Sequence, residues 1–187
     1  MIEVFIGILA FFFCLIYDIL SIRRKKYAVL FFAFGGFLLA AATGSLLLRA
    51  PWPAIFSAHP LSSALSIAAA LVFLALLAKV LFFSFPTDDA YLAGDVSPAV
   101  TTGQYALCRH PGVLWFAGFY LGLFALVRTP EMLWAFLLFT ACDVLYVVLQ
   151  DRYIFPKTLS GYGAYQKATP FLIPTPASFR AMLRKQP

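Results

Sequence analysis

The sequence predicts an all-α integral membrane protein with about five transmembrane helices, and three observations support this fold class. Hydrophobic residues make up 63% of the 187-residue chain and charged residues only 12%, whereas soluble domains are about half apolar and a quarter charged. Five apolar stretches are separated by shorter polar segments. These stretches lack the polar–apolar alternation of membrane β-strands. Because backbone groups in lipid must be satisfied within their own segment, the stretches are expected to be helices.

The five apolar stretches define the expected spans, which are Ile2–Ile22, Tyr27–Leu48, Leu61–Phe85, Val113–Val127 and Glu131–Leu149. A helix needs about 20 residues to cross the hydrocarbon core. The fourth stretch is shorter, so its helix must extend back towards Arg109 or cross obliquely. The turn at 128–130 is brief, which makes the last two spans an antiparallel helical hairpin.

A single transmembrane domain, residues 1–187, is expected because no stretch is left for a separate soluble domain. It divides into three N-terminal spans (1–85), a loop (86–112), the hairpin (113–150) and a tail (151–187). The first span is interpreted as a membrane helix and not a removable signal, because no small-residue cleavage site precedes the basic block after it. The three cysteines show no disulfide or zinc spacing, so no metal site is predicted.

The net charge of +6 is clustered in a way that predicts orientation. With five spans, residues 23–26, Arg109 and the cations of the tail share one side, and Arg49 and Arg128 lie on the other. The positive-inside rule then places the loop and tail in the cytoplasm and the N-terminus outside. Small size favours a prokaryotic inner membrane. Basic blocks beside apolar runs predict contacts with membrane lipids, not nucleic acid; the tail cations are Arg152, Lys157, Lys167, Arg180, Arg184 and Lys185.

Two carboxylates fall within the expected spans. Asp18 lies near the cytoplasmic end of the first span, and Asp143 lies midway along the fifth. A charge inside lipid is costly and indicates function by default. The alternative is a hydrogen-bonded carboxyl that fixes helix packing. Packing is favoured for Asp18, and both interpretations stay open for Asp143.

Small residues spaced four apart predict close helix contacts on spans two and four, because they let helices approach in lipid. The alternative is that they leave room for a ligand, and packing is favoured because the pattern is common in membrane bundles. The residues are Gly36, Ala40 and Gly44 on span two, and Gly118 and Gly122 on span four.

The polar stretch 101–112 precedes the hairpin and contains the strongest candidates for chemistry. Arg109 presents a planar fork suited to a carboxylate or phosphate. His110 can donate or accept a hydrogen bond, and Pro111 suits the first turn of a helix. The structural alternatives are that Arg109 anchors the membrane interface and that His110 caps the helix.

The open ends of the hairpin bring further groups to the same place. Asp151 follows the last span, so it is expected to lie close to Arg109. Tyr105 in the loop and Tyr162 and Tyr165 in the tail are expected at the same membrane face. Such a mixture of charges and aromatic rings suits a charged, aromatic, amphiphilic small molecule.

At these residues the sequence resembles a known group. Residues 102–111, TGQYALCRHP, resemble the TGxYxxxRHP signature of the isoprenylcysteine carboxyl methyltransferase superfamily, which also includes small phospholipid N-methyltransferases. Residues 162–174, YGAYQKATPFLIP, are similar to its closing YxxYxxxxPxxIP element, and Asp151 takes the place of an acidic residue ahead of it. The resemblance covers about 96–174, and the first three spans add only compatible hydropathy.

The resemblance implies S-adenosylmethionine (AdoMet) as the methyl donor, with S-adenosylhomocysteine as product. The pocket would be formed by the last two spans, the preceding loop and the tail. His110 and Tyr105 would contact the amino-acid end or ribose, and Tyr162 and Tyr165 would help to wall the pocket. The full set of implied cofactor-binding residues is Gly103, Tyr105, His110, Pro111, Tyr162 and Tyr165.

By the same resemblance, Arg109 and Asp151 would be the catalytic residues, which orient the acceptor or the charge of the cofactor. The acceptor would be a small lipophilic molecule, such as an isoprenylated thiol or carboxylate or a lipid amine. Val113, Trp115 and Gln150 depart from the family pattern, so a non-catalytic accessory protein on the same scaffold is an alternative. The third hypothesis is a related NADPH-dependent membrane reductase, although the chain lacks a glycine-rich dinucleotide loop.

Overall fold

The computed structural model describes residues 1–23, 25–83 and 97–184, and the predicted all-α membrane fold is confirmed for this part of the chain. Expectations for Arg24, residues 84–96 and Lys185 lie outside the described residues. The long helices are α1 (Ile2–Ile22), α2 (Ala28–Leu48), α4 (Pro60–Phe83), α5 (Pro111–Val127) and α6 (Pro130–Leu149). The short helices are α3 (Trp52–Ala58), α7 (Phe155–Thr158), α8 (Tyr162–Ala168) and α9 (Pro176–Leu183).

Within the described residues, four helices are long and apolar enough to cross a membrane: Ile2–Ile22, Ala28–Leu48, Pro60–Phe82 and the continuous helical stretch Pro130–Thr158. The fifth, α5, is apolar but has only 17 residues. It begins at Pro111, two residues earlier than its apolar stretch, because proline needs no hydrogen-bond acceptor in a first turn. At about 1.5 Å per residue it spans roughly 25 Å.

The long helices pack into one bundle. Helix α1 packs against α2 and α6, and α5 packs against α4 and α6. Tyr120, Met132 and Phe139 lie in the core and are almost completely buried. The hydroxyls of Tyr120 and Thr43 are 2.6 Å apart and join α5 to α2. Exposed phenylalanine and leucine side chains cover the outer faces of the long helices, as expected of a surface that contacts lipid.

Polar contacts fix both ends of this bundle. The Gln150 side-chain amide donates a 2.9 Å hydrogen bond to the Asp18 carboxylate, which joins the end of α1 to the end of α6. At the opposite end, the buried Glu3 forms an ion pair with Arg49, which follows α2. The Asp18 contact agrees with the packing interpretation of that residue.

Helical structure continues past the expected end of the hairpin. A π-helical turn, Gln150–Ile154, follows α6 directly and leads into α7, so helical structure extends to Thr158, inside the expected tail (151–187). Pro156 is the second residue of α7 and has no N–H to donate, and the Asp151 carbonyl five residues before it accepts from the Gln166 side-chain amide. The wider π turn before it places Asp151 in a buried position, and such turns are frequent at functional sites.

The predicted small-residue contacts are correct for α5 and wrong for α2. Cβ atoms added to Gly118 and Gly122 would press on α4, whereas Gly36 and Gly44 face open space. The glycine that contacts α1 is Gly35. Helix α2 is apolar on all sides, so the polarity of its residues does not reveal which face is turned inward.

Replacing Gly35 by alanine is expected to lower the free energy of unfolding by about 1–3 kcal/mol through overpacking. The new Cβ would lie 2.8 Å from the Ala10 carbonyl oxygen and 3.0 Å from Cys14 Sγ. Gly36→Ala is the matched control, because its Cβ would meet no atom within 4 Å. Unfolding of both variants in the same detergent checks this. Equal stability would show that α1 and α2 do not pack through Gly35.

Candidate functional site

The two sequence motifs are bonded directly to each other. The Arg109 backbone N–H donates to the Pro170 carbonyl at 2.9 Å. The Tyr165 hydroxyl donates to the Tyr105 carbonyl at 2.7 Å. Segments about 60 residues apart in sequence therefore fold as one unit at the open end of the α5–α6 hairpin.

Asp151 is the centre of this unit. Asp151 is only 6% exposed. Its carboxylate accepts five hydrogen bonds, which occupies all of the roughly four lone-pair sites on its two oxygens. The Tyr162 hydroxyl makes the shortest, at 2.6 Å. The other donors are Arg109 Nε at 2.8 Å and Nη2 at 3.0 Å, and His110 Nε2 and Gln166 Nε2, both at 3.2 Å.

Arg109 forms a bidentate ion pair with Asp151, which confirms that the two ends of the hairpin lie close together. Its remaining terminal nitrogen, Nη1, donates to the carbonyls of Gln166 and Thr169, both at 2.8 Å. The ring of Phe171 lies 5.5 Å from the guanidinium carbon. Since the side chains of Arg109 and Asp151 are only 11% and 9% exposed, water screens the pair little, and its geometry is of the kind that offsets the cost of burial.

His110 is held in an aromatic setting. Its ring stacks on Phe155 at 5.7 Å and meets Phe171 edge-on at 5.2 Å. Burial lowers the pKa of His110 to about 4, although the neighbouring Asp151 carboxylate acts in the opposite direction. The ring is therefore neutral at physiological pH. Because its Nε2 faces a carboxylate, Nε2 carries the proton and donates it to the hydrogen bond.

Acid is expected to destabilise the fold through His110. Its pKa falls from the ordinary 6.5 to about 4 on folding, so the unfolded chain binds the extra proton between these values. The free energy of unfolding therefore falls as the pH drops through this window, and this contribution is constant above it. His110→Phe, which keeps a ring, should remove that part of the pH dependence. NMR titration of labelled histidine measures the midpoint directly, and a His110 midpoint at or above 6.5 would contradict this assignment.

The hydroxyls of Tyr162 and Tyr165 act as hydrogen-bond donors at the site. Burial and the Asp151 carboxylate raise the pKa of Tyr162. Burial is also the main cause that raises the pKa of Tyr165, and it raises the pKa of Tyr105 to about 12. All three phenols are protonated at neutral pH, so none of them is suited to be a general base there.

A groove of about 840 Å³ lies beside this unit. A parallel pair of two-residue strands, β1 (Ser97–Pro98) and β2 (Leu159–Ser160), joins the segment before the hairpin to the tail at the groove. Tyr165 lies on the wall. Six further lining residues are alanines, which leave the groove wide: Ala99, Ala106, Ala164, Ala168, Ala177 and Ala181.

The predicted site residues lie in three different parts of the structure: the groove, the buried cluster and the surrounding framework. Among the eight, all of which lie in the described part of the chain, Tyr165 lines this groove. Arg109, His110, Asp151 and Tyr162 form the buried cluster behind it, where their polar groups bind one another. Tyr105, Pro111 and Gly103 belong to the framework: the Tyr105 carbonyl accepts from Tyr165, Pro111 starts α5, and Gly103, which is exposed, begins a 3₁₀ turn (Gly103–Ala106) with a φ of +60°.

Sequence reasoning missed three residues of the cluster. Gln166 donates to the carboxylate and the carbonyl of Asp151, the latter at 2.9 Å. Its position one helical turn after Tyr162 gave a usable signal, because residues four apart share a helix face. Phe155 and Phe171 enclose His110, and nothing in their surrounding sequence distinguishes them from other aromatic residues of this chain.

No protein-family model, curated protein or solved structure matches the chain.

Proposed function

We propose that the protein is an integral-membrane methyltransferase that transfers a methyl group from AdoMet to a small lipophilic acceptor. The observation that carries the proposal is the direct bonding of the two motif segments around Asp151, beside a groove of ligand size. The resemblance of these same segments to the methyltransferase superfamily supplies the reaction class.

The groove is the proposed AdoMet site. Its volume of about 840 Å³ falls in the range of small-molecule pockets. Alanines give space for a flat purine, and Tyr165 offers an aromatic edge. Hydroxyls of Thr101 and Ser160 line the same groove, and they can serve the ribose and the amino-acid end of the cofactor.

Arg109 and Asp151 are assigned positioning roles instead of the ligand contacts expected from sequence. The polar atoms of each residue form hydrogen bonds with the other residue and with the tail. The ion pair thus holds the hairpin end and the tail in a fixed relative position. Methyl transfer from a sulfonium is an in-line displacement, which depends on alignment and on exclusion of water more than on proton transfer.

The acceptor is proposed to reach the site from the bilayer and AdoMet from the cytoplasm. The long helices expose apolar side chains to lipid, and a lipophilic molecule can partition there. The charge distribution favours a cytoplasmic groove, and the small size of the chain favours a prokaryotic inner membrane. This orientation also fits the supply of AdoMet, which is made in the cytoplasm.

Methyl transfer provides the test. Membranes that contain the full chain are incubated with methyl-tritiated AdoMet, and label in the solvent-extractable fraction is counted. We expect label above that of membranes lacking the protein, and we expect S-adenosylhomocysteine to suppress it. No excess label with membranes and lipid extracts of the source cells would contradict the proposed activity.

A non-catalytic accessory role is the second candidate, favoured by the complete internal bonding of Asp151. A purely structural cluster would show this arrangement. The two candidates differ in one result, since an accessory protein transfers no label and gives no saturable AdoMet binding.

A further inference from the structure

The C-terminal helix α9 presents three different faces. At 100° per residue, Ala177, Ser178 and Ala181 share the face that lines the groove, and Ser178 is buried. Phe179 and Leu183 lie one turn apart on a second face, where 51% and 65% of each residue is exposed. Exposed apolar residues at this spacing indicate a surface that another molecule covers when the protein functions.

A third face, between the other two, is cationic. Arg180 and Arg184 lie one turn apart and are both exposed. No acidic residue occurs from 176 to 184, so nothing within α9 neutralises these charges. The partner that covers the apolar face must therefore also accept two positive charges.

Helix α9 lies at the end of the bundle where the transmembrane helix α5 begins. It packs against the 3₁₀ turn Gly103–Ala106. In that turn, Gln104 accepts a 2.8 Å hydrogen bond from Trp115 in the second turn of α5. The first turn of α9 is stabilised by a capping box, in which Thr175 and Ser178 bond each other's backbone.

We propose that α9 is a membrane-seated helix that binds anionic lipid, with Phe179 and Leu183 among the acyl chains and Arg180 and Arg184 on headgroup phosphates. An apolar ridge beside a basic edge is the pattern of helices that lie in the membrane interface. Anionic headgroups supply the complementary charge, and each arginine near such a surface adds to binding. A purely apolar partner would leave the arginines unmatched.

Binding of α9 to the membrane also affects the groove, because the opposite face of α9 forms one wall of that groove. Anionic lipid would hold that wall in place and so influence what the groove admits. The lipid-binding inference depends on α9 alone and is independent of methyl transfer.

Hydrogen exchange of the unmodified full chain tests the proposal. The protein is placed in nanodiscs of phosphatidylcholine alone or with about 30 mol% phosphatidylglycerol. We expect amides of 177–184 to exchange on the order of tenfold more slowly in the anionic discs. Salt at about 0.5 M should remove the difference, because it screens surface charges.

Charge variants supply the matched comparison. Arg180→Gln with Arg184→Gln should abolish the lipid-dependent protection, whereas Arg152→Gln with Lys157→Gln removes two exposed charges outside α9 and should leave it intact. Equal exchange in the two discs would overturn the proposal. Protection that appears only with dimer formation would also overturn it, since it would identify a second copy of the chain as the partner.

Brominated lipids give an independent measurement of depth. Phe179→Trp should add fluorescence that these lipids quench, above the background of the native tryptophans. An added signal that water-soluble quenchers reach and brominated lipids do not would contradict insertion of this face.

Discussion

Replacing Asp151 by alanine is expected to lower the free energy of unfolding by about 3–5 kcal/mol, the loss typical when one partner of a buried ion pair is removed. The change leaves the Arg109 guanidinium buried without its carboxylate. It also deprives His110 and Tyr162 of their acceptor and leaves Gln166 only the backbone carbonyl of residue 151. Unfolding of the purified protein in a single detergent measures the effect.

Arg152→Ala is the control for Asp151→Ala. Arg152 is the next residue and is exposed, so its loss should change stability by less than about 0.5 kcal/mol. A second comparison replaces both members of the pair, Arg109→Met with Asp151→Leu, which should cost less than Asp151→Ala because no unpaired charge is left. Equal effects of Asp151→Ala and Arg152→Ala would show that the cluster does not hold the fold together.

Replacing Ala164 by tryptophan is expected to weaken AdoMet binding by about a hundredfold. Ala164 lines the groove and is exposed, so an indole there would fill space proposed for the cofactor without disturbing the core. Calorimetric titration of AdoMet into the wild type and the variant measures the difference. Thermal unfolding of both proteins verifies that the fold is retained.

Gly163→Trp provides the matched control on the same helix. Gly163 is the neighbouring residue, is exposed, and has open space around the position of a Cβ; it lies outside the groove lining. The same bulky side chain should therefore leave AdoMet affinity within about twofold of the wild type. Equal loss in both variants would point to a general effect of tryptophan on α8 and would argue against the groove as the cofactor site.

The membrane fold was predictable because hydropathy determines it. The ends of α1, α2, α5 and α6 fall within two residues of their expected positions, since proline residues and charged turns mark them. The meeting of Arg109 and Asp151 was predictable as well, because a hairpin brings its two open ends together. Neither prediction required knowledge of side-chain packing.

The parts that sequence reasoning did not predict depend on tertiary contacts. The π turn that carries Asp151 has no local sequence signature, and it continues the helix past the expected end of the last span at Leu149. The inward face of α2 is unmarked because all its faces are apolar. Whether the buried ion cluster is separate from the groove depends on which donors bind Asp151. Gln166 is one of these donors, and it lies at a position that the motif leaves unspecified.

Equilibrium binding of radiolabelled AdoMet to the full wild-type chain in nanodiscs tests the central claim most directly. The account predicts saturable binding of about one AdoMet per chain with a dissociation constant below about 1 mM, displaced by S-adenosylhomocysteine and not by NADPH. Absence of saturable binding up to that concentration would contradict the claim. Displacement by NADPH together with tighter binding of NADPH itself would contradict it too, and would identify the protein as a nucleotide-dependent reductase instead.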